Sequence, residues 1–361
     1  MTQQLVLQAP RTEQSPHPEV DSFELHGTTL SFAGVPLPSM PDDVAEHEVV
    51  VRVDSFAVNY RDRALTWDKA VRLADAGRPG QWAPFGSEFC GTVVAVGTDN
   101  HNDILGARVI GRNDFDPDGH MPQGVATNGA SRGYLTFPAD RVIVPPESLT
   151  DSQACTFGLA AQTAAGMLRR GEVQRGSRVL VTGGNSHTSR FIAQLAAHRG
   201  ADVTVTSRGS STWDHIPSIA HWRSMEELAA IRPINDSRFD AILDPFIDMY
   251  AGLTMPFLKK DGIYVTCGFA NQIPSETGDS PLRDVIIPAM VRCARIEVNA
   301  IGIASDLEDA VAAFADSGLK SPPTQTFELA NAPDFLRASF GLASAEGRPV
   351  FSYRATGEGG A

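Results

Sequence analysis

The stretch SRVLVTGGNSHTSRFIAQLAAHRGADVTVTSR, residues 177–208, decides the fold. An apolar run (177–184) ends in two glycines, and an amphipathic segment (189–200) follows it and stops at a glycine. A second apolar run (201–208) begins at once. The order strand, turn, helix, strand predicts a βαβ unit and a parallel sheet.

The segments on either side extend this pattern. The small residues of 149–171 predict a pair of helices. The apolar runs at 239–245 and 261–268 predict two further buried strands. Alternating strands and helices predict one Rossmann-type, doubly wound domain over residues 151–290.

The remaining sequence favours a β-rich, barrel-like domain built from residues 1–150 and 291–361. Val49, Val51 and Val53 alternate with other residues, the pattern of a half-buried strand. After a polar lead of about twenty residues, other elements are predicted as strands at 46–59, 90–97, 107–111, 140–145 and 348–353 and as a helix at 305–318. The turn-rich segment 113–133 is long enough to suggest a functional loop.

Composition excludes several classes of protein. The 361-residue chain is 42% hydrophobic and 20% charged, as in globular domains, and its formal net charge of -13 argues against nucleic-acid or anionic-membrane partners. Four separated cysteines, without a CxxC pair, predict reduced thiols rather than disulfides or a four-cysteine zinc site. The N-terminus has no signal pattern and no apolar run is long enough to span a membrane, so we expect a cytoplasmic protein.

The turn after the first strand of the βαβ unit is the expected phosphate site, because the next helix directs its N–H groups there. Of the three glycines in the usual fingerprint only Gly184 is present. Two interpretations stay open: the polar residues of the turn bind a phosphate, or the hydroxyls only cap the helix and cofactor binding has weakened. The candidate cofactor-binding residues in this turn are Gly184, Asn185, Ser186, His187, Thr188 and Ser189.

The second strand ends at Ser207 and Arg208, and no acidic residue occurs from Thr204 to Thr212. NAD sites usually have Asp or Glu here to bind the ribose hydroxyls, whereas an arginine accommodates a 2′-phosphate. The sequence therefore favours NADPH over NADH, with Ser207 and Arg208 as phosphate ligands.

These residues, together with VNYRD (58–62), PFGSEFCGTVVAVG (84–97) and LAAQTAAGML (159–168), resemble the medium-chain dehydrogenase/reductases. The resemblance is to the quinone oxidoreductase and enoyl reductase branch, and it covers nearly the whole chain. It implies a GroES-like catalytic domain that carries the Rossmann domain as an insertion. Relatives often dimerise through an edge strand of the nucleotide domain, which implies a homodimer paired near 294–303.

The resemblance also implies that the protein works without a metal. Zinc-dependent relatives have Cys and His where this chain has Asn59 and Ser87, and the lobe that binds structural zinc is missing. Amide and hydroxyl groups are poor replacements for thiolate and imidazole ligands of zinc.

Without zinc, the chemistry that the resemblance implies is hydride transfer from NADPH to an activated C=C bond. Tyr60 matches the tyrosine that related enoyl reductases hold near the substrate, and Asn59 and Thr163 match positions beside the nicotinamide. Gly268 and Phe269 follow a strand end where backbone usually meets the same ring. Asp62 and Glu88 are expected to be internal hydrogen-bond partners, and His120, Arg132 and Tyr134 are candidates for the substrate mouth.

The sequence leaves three alternative functions open. The chain is either an NADPH-dependent reductase of an enone, a quinone or an enoyl thioester, or a redox-silent binding subunit, or an isomerase or cyclase. The low Lys and Arg content of 60–85 and 113–133, read as substrate loops, disfavours a highly phosphorylated carrier.

Overall fold

A computed structural model describes most of the chain. The described residues are 3–10, 15–78, 80–98, 102–114, 124–207, 221–230, 239–273, 289, 294–316 and 319–354. Three residues singled out from the sequence, His120, Arg208 and Cys293, lie outside them.

The chain divides into two compact units. Unit 1 comprises residues 1–113, 120–159 and 323–361, and unit 2 comprises residues 114–119 and 160–322. The boundaries expected from the sequence, at 150 and 290, differ from these because the last part of the parallel sheet lies beyond residue 290.

Unit 1 is rich in β-structure. Its strands are β1 (Gln3–Gln8), β2 (Glu19–Leu25), β3 (Thr28–Pro36), β4 (Glu48–Ala57), β5 (Trp82–Ala83), β6 (Glu88–Val96), β7 (Arg108–Gly111), β8 (Tyr134–Pro138), β9 (Val142–Ile143), β16 (Thr324–Phe327) and β17 (Arg348–Ser352). Its helices are α1 (Tyr60–Ala76), α2 (Asp151–Cys155) and α8 (Ala332–Ser339), and α3 (Gly158–Arg170) runs on into unit 2. Short 3-10 turns lie at Asn102–Ile104, Ala139–Arg141 and Leu329–Asn331.

Strand β4 is the centre of the larger sheet. It pairs with β6, β8 and β17, and the full order is β16-β17-β4-β6-β7-β9 with β8 added on β4. Val50 is as completely buried as Val49 and Val51, so the expected half-buried strand is wrong: β4 is covered on both faces. The unit's apolar core is dominated by aromatic rings around Phe56, which contacts the rings of Phe85, Phe335, Phe351 and Tyr353.

Two parts of unit 1 were not predicted. The polar lead in fact forms β1, whose residues from Gln4 to Gln8 are buried in a second sheet of order β2-β3-β1-β5. Residues after Asn59, taken as a substrate loop, form the 17-residue helix α1, which ends at Gly77 with φ 60°. Gly77 tolerates that left-handed backbone because it has no Cβ.

Unit 2 confirms the predicted doubly wound architecture. It contains β10 (Arg178–Val181), β11 (Asp202–Ser207), β12 (His221–Ser224), β13 (Phe239–Asp244), β14 (Leu258–Thr266) and β15 (Arg295–Val298). Its helices are α4 (His187–His198), α5 (Met225–Ala230), α6 (Ile247–Thr254) and α7 (Ala304–Asp316), with a 3-10 turn at Met255–Phe257. The six strands are parallel in the order β12-β11-β10-β13-β14-β15.

The strand order changes direction between β10 and β13, which is where such sheets bind ligands beyond the carboxyl ends of their strands. The turn after β10 lies at this switch point. Within the described ranges, no helix is both long and apolar enough to cross a membrane.

Candidate active site and cofactor site

The start of α1 is held by a reciprocal capping arrangement. The Asn59 side chain accepts a hydrogen bond from the Tyr60 amide (2.8 Å), and the Asp62 carboxylate accepts one from the Asn59 amide (2.8 Å). Helices need such partners because their first N–H groups have none within the helix. Asn59, predicted to lie beside the nicotinamide, therefore has a structural role in fixing Tyr60 on the first turn.

Asp62 links this helix to the residue that precedes strand β6. The Ser87 hydroxyl donates to it at 2.7 Å, and Nη1 of Arg61 lies 3.0 Å from its other oxygen. Burial raises the pKa of Asp62, while Arg61 and the Ser87 and Asn59 hydrogen bonds oppose the rise. Asn59 and Ser87 are thus both bonded to groups of the chain.

Glu88 forms a buried ion pair. Arg348 Nη2 donates to Glu88 at 2.8 Å and also to the carbonyl of Val58, the residue before Asn59. Burial raises the pKa of Glu88 from its ordinary value of 4.5 to about 7, although Arg348 opposes the rise. Asp62 and Glu88 are internal hydrogen-bond partners in the structure, as the sequence led us to expect.

Tyr60 is the accessible group of this cluster. Its side chain is 36% exposed, and the guanidinium carbon of Arg63 lies 5.0 Å from the centre of its ring. Arg63 is anchored in turn by a 2.8 Å hydrogen bond to the Ser339 carbonyl. A cation over one face of a phenol ring attracts the ring and so restrains its position.

The turn after β10, where the sequence predicts a phosphate site, is tied to the neighbouring strand. Gly183 has φ 59°, and the amide of Gly184 donates to the Thr206 carbonyl at the end of β11 (2.9 Å). The hydrogen bond holds the ends of β10 and β11 together. Asn185 is exposed at the tip of the turn, and Thr188 lies in the first turn of α4.

The two hydroxyls that replace glycines of the usual fingerprint both form hydrogen bonds with backbone groups near this turn. Ser186 is the N-cap of α4 and accepts from the Ser189 amide (3.1 Å), and Ser189 is buried and donates to the Thr182 carbonyl (2.7 Å). His187 packs edge-on against Phe191, with ring centres 5.2 Å apart. Helix capping therefore accounts for Ser186 and Ser189, while the N-terminus of α4 stays the anion-attracting end of a 12-residue helix.

Ser207 ends β11. It is almost fully buried, and its hydroxyl has no hydrogen-bond partner within the part of the chain that the structure describes. Buried hydroxyls are normally paired, and an unpaired one marks a place where a polar partner fits. Arg208, the other residue predicted to bind a phosphate, lies outside the described residues.

A buried carboxylate at the switch point was not predicted. Asp244, at the end of β13, accepts hydrogen bonds from the Thr182 hydroxyl (2.5 Å), the Tyr264 hydroxyl and the Phe246 amide (2.9 Å). Burial raises its pKa, and these donors oppose the rise. Asp244 thus ties the turn after β10 to β13 and β14. Its position directly after an apolar strand run is the feature of the sequence from which it could have been predicted.

The predicted nicotinamide residues lie at the ends of the next strands. The loop with Gly268 and the half-exposed Phe269 is held by Asp248, which accepts from the amides of Ala270 (2.7 Å) and Asn271 (2.9 Å). Thr163 lies on α3, and its carbonyl accepts from Asn299, the residue after β15 (3.2 Å). Ile301 beside it has φ 73°, a strained conformation for a β-branched residue of the kind found at functional sites.

Comparisons with known proteins agree with this architecture. Residues 45–147 match the alcohol dehydrogenase GroES-like domain. A solved structure of an alcohol dehydrogenase superfamily protein from Novosphingobium aromaticivorans covers 98% of this chain and 100% of its own, with a TM-score of 0.71 and 20% identity.

Two curated relatives extend the comparison. Mycoketide-CoA synthase of Mycobacterium tuberculosis is 24% identical over 86% of this chain, which spans only 7% of that protein's length. Trans-enoyl reductase opdC of Penicillium oxalicum is 31% identical over 50% of each chain. The resemblance inferred from the sequence is confirmed for the GroES-like domain and for the fold.

The raised pKa of Glu88 generates a prediction for stability against pH. Between about pH 4.5 and pH 7 the Glu88 carboxyl keeps its proton in the folded protein but has released it in the unfolded chain. The contribution of this proton to the free energy of unfolding is therefore complete below pH 4.5 and is lost as the pH rises through 7. The loss reaches up to about 3 kcal/mol. We expect Glu88→Gln to remove this decline in the free energy of unfolding, measured by urea denaturation from pH 5 to pH 8.

The control is Glu346→Gln, which removes an exposed carboxylate from the same unit and keeps the decline. An unchanged pH dependence in Glu88→Gln would show that Glu88 is ionised throughout this range in the folded protein.

Proposed function

We propose that the chain, of which residues 45–147 match the alcohol dehydrogenase GroES-like domain, is an NADPH-dependent oxidoreductase. It transfers hydride, without a metal, to the activated C=C bond of a small molecule. The observation that carries the choice of cofactor is Ser207, a buried hydroxyl without a partner at the end of β11. A carboxylate at that strand end would favour NADH, and no acidic residue occurs from Thr204 to Thr212.

In this proposal the phosphates lie at the N-terminus of α4 and beside Ser207 and Arg208, and the nicotinamide end contacts Thr163, Gly268 and Phe269. NADPH supplies the hydride when bound. The residues of the chain bind and orient it: Asp244 fixes the phosphate turn through Thr182.

Reduction of a C=C bond also requires a proton at the carbon next to the activating carbonyl. We assign its delivery to the Tyr60 hydroxyl. Asn59, Asp62 and Ser87 hold the first turn of α1 and thereby position the phenol. The relatives support this type of reaction, since one of them is named a trans-enoyl reductase.

Metal independence rests on the bonded state of Asn59 and Ser87. Each already satisfies a polar group of the helix cap: Asn59 accepts from an amide, and Ser87 donates to Asp62. Neither offers the thiolate or imidazole that zinc sites use.

The cofactor assignment is tested by titrating the purified protein with NADPH and NADH and following nicotinamide fluorescence. We expect micromolar binding of NADPH, much weaker binding of NADH, and a loss of about tenfold or more in NADPH affinity for Arg208→Glu, because a carboxylate repels the 2′-phosphate. Arg175→Glu, the same charge change at an exposed site of unit 2, should leave binding unchanged. No binding of either cofactor would refute the reductase and favour a redox-silent binding subunit.

The role of Tyr60 is tested by Tyr60→Phe. The variant keeps the ring beside Arg63 and removes only the hydroxyl, so we expect kcat for an enone or enoyl thioester to fall about 100-fold or more while the Kd of NADPH is unchanged. Stopped-flow measurement of NADPH oxidation separates the two quantities. An unchanged kcat would assign the proton to water or to another residue.

The proposed oligomer is a homodimer paired along β15. This strand is the edge of the six-stranded sheet, and Val298 on it is 65% exposed. An exposed strand edge is a template for pairing with a second chain. We expect light scattering to give twice the 38.6 kDa chain mass, and Val298→Lys to give a monomer. Leu105→Lys, at an exposed apolar residue of unit 1, should stay dimeric. A monomeric parent protein would contradict the proposal.

A further inference from the structure

The guanidinium of Arg63 joins the first turn of α1 to the end of α8. Its carbon atom lies 5.0 Å from the centre of the ring of Tyr60, which precedes it by three residues and is therefore its neighbour on the helix surface. Its Nε donates to the carbonyl of Ser339, the last residue of α8, at 2.8 Å. We call Tyr60, Arg63 and Ser339 the arginine bridge.

The charge of Arg63 has no carboxylate beside it within the described ranges. Burial lowers the pKa of Arg63, Tyr60 opposes this change, and the charge of Arg348 adds to it. Buried charges in proteins are normally paired with opposite charges. The partners of Arg63 are instead the face of an aromatic ring and a carbonyl at the negative end of a helix.

The other two arginines of α1 form ion pairs. Arg61 lies 3.0 Å from Asp62, and Arg72 lies 2.8 Å from Asp68. These carboxylates account for the position of both side chains. Arg63 differs because its charge is directed to the ring of the residue to which we assign the proton transfer, and this placement calls for an explanation of its own.

The far end of the bridge is fixed in the core of unit 1. Phe335 of α8 is fully buried, and the centre of its ring lies 5.4 Å from that of Phe56 and 5.3 Å from that of Phe351. The last carbonyls of a helix have no partner within the helix. Arg63 therefore supplies a donor that the Ser339 carbonyl needs, and a rigid helix holds the guanidinium in return.

Gly341 gives the guanidinium its space. The chain leaves α8 through this residue with φ 79°, a conformation that a residue without a Cβ adopts readily. A Cβ at this position would lie 3.0 Å from Nη1 of Arg63, closer than ordinary van der Waals contact. A larger residue would push the guanidinium away, so the backbone at Gly341 also determines where the cation lies.

The side chain of Tyr60 needs such a restraint. The cap at Asn59 bonds to the Tyr60 amide, which fixes the backbone but leaves the phenol free to rotate about its side-chain bonds. Tyr60 is 36% exposed, so packing alone does not hold the ring. The rate of a reaction depends strongly on geometry, since misplacing a reacting group by about 1 Å can lower it about 100-fold.

We propose that Arg63 is a positioning residue for the proton transfer: the arginine bridge holds the Tyr60 hydroxyl at the point from which it protonates the substrate. The proposal rests on the proposed reductase function. In that reaction the substrate accepts hydride from NADPH at one carbon of its C=C bond, and NADPH is oxidised to NADP⁺. The electron pair of the C=C bond takes the proton of the Tyr60 hydroxyl at the other carbon, and the phenolate recovers a proton from water. Arg63 keeps its own protons throughout.

The first test needs neither cofactor nor substrate. The protein is labelled with 3-fluorotyrosine, and the ¹⁹F signal that is absent from Tyr60→Phe belongs to Tyr60. We expect this signal to become narrower in Arg63→Gln, which removes the charge but keeps an N–H donor for the Ser339 carbonyl, because the ring then rotates more freely. The signal should keep its width in Arg72→Gln, which removes an exposed arginine of the same helix. An unchanged width in Arg63→Gln would overturn the proposal.

The second test measures kcat for an enone by stopped flow, together with the Kd of NADPH and the melting temperature. We expect Arg63→Gln to lower kcat about tenfold and to leave the other two quantities unchanged. Arg63→Lys, which keeps a cation near the ring, should lose less, and Arg72→Gln should lose nothing. In a Tyr60→Phe background, Arg63→Gln should lower kcat no further, since no hydroxyl remains to be positioned.

Two kinetic outcomes would overturn the proposal: an unchanged kcat in Arg63→Gln, or the same fall of kcat with and without the Tyr60 hydroxyl. The second would mean that Arg63 acts on the reaction by another route. An unchanged kcat in Tyr60→Phe itself would refute the assignment of the proton donor, and this proposal with it. Failure of NADPH binding would refute the reductase, whereas the width of the Tyr60 signal is measured independently of cofactor binding.

Discussion

The carboxylate of Asp62 is the constraint on which the candidate site of unit 1 depends. It lies in the interior of unit 1, yet it has three partners: the Asn59 amide at the cap of α1, the Ser87 hydroxyl just before β6, and the guanidinium of Arg61. A buried carboxylate without these donors would be strongly destabilising. The donors are therefore held as firmly as the acceptor, and the direction in which α1 leaves β4 is set with them.

Asp244 has the corresponding position in unit 2. Its three donors come from the turn after β10, from β14 and from the segment that leads into α6. The parallel sheet brings the ends of its strands to one edge, and the carboxylate joins these ends by hydrogen bonds. Both units thus use a desolvated acid as the fixed point of a candidate site, and in neither does the acid need to touch a reactant.

The sequence was sufficient for the parts of the fold that rest on periodicity. Apolar runs, amphipathic spacing and glycine stops predict the β10–α4–β11 unit, the closing strand β17 and the parallel direction of the strands in unit 2. It failed for β1 and α1. The first is rich in glutamine, and its burial comes from pairing with β3, a partner over twenty residues away. The second has charged residues over most of its length, and only the cap at Asn59 and Gly77 marks its ends.

For the site, the individual residues were easier to predict than their roles. Ser186 is the N-cap of α4 and Ser189 lies in its first turn, but which hydroxyl would face a ligand and which bonds to the chain depends on distances that no spacing encodes. Ser207 is the opposite case, since only burial without a partner distinguishes it from an ordinary strand-end serine. Arg61 and Lys69 are unremarkable in the sequence, and both bond to Asn128 because α1 packs beside the loop that carries it.

The cap of α1 also bears on how a protein of this type could be redesigned. Replacing both Asn59 and Ser87 would remove the acceptor for the Tyr60 amide and the hydroxyl that bonds to Asp62. The first turn of α1 would lose its cap, and a buried acid would lose a donor. The start of the helix and its buried acid would therefore have to be rebuilt together, so a change of side chains at these two positions is a cooperative step.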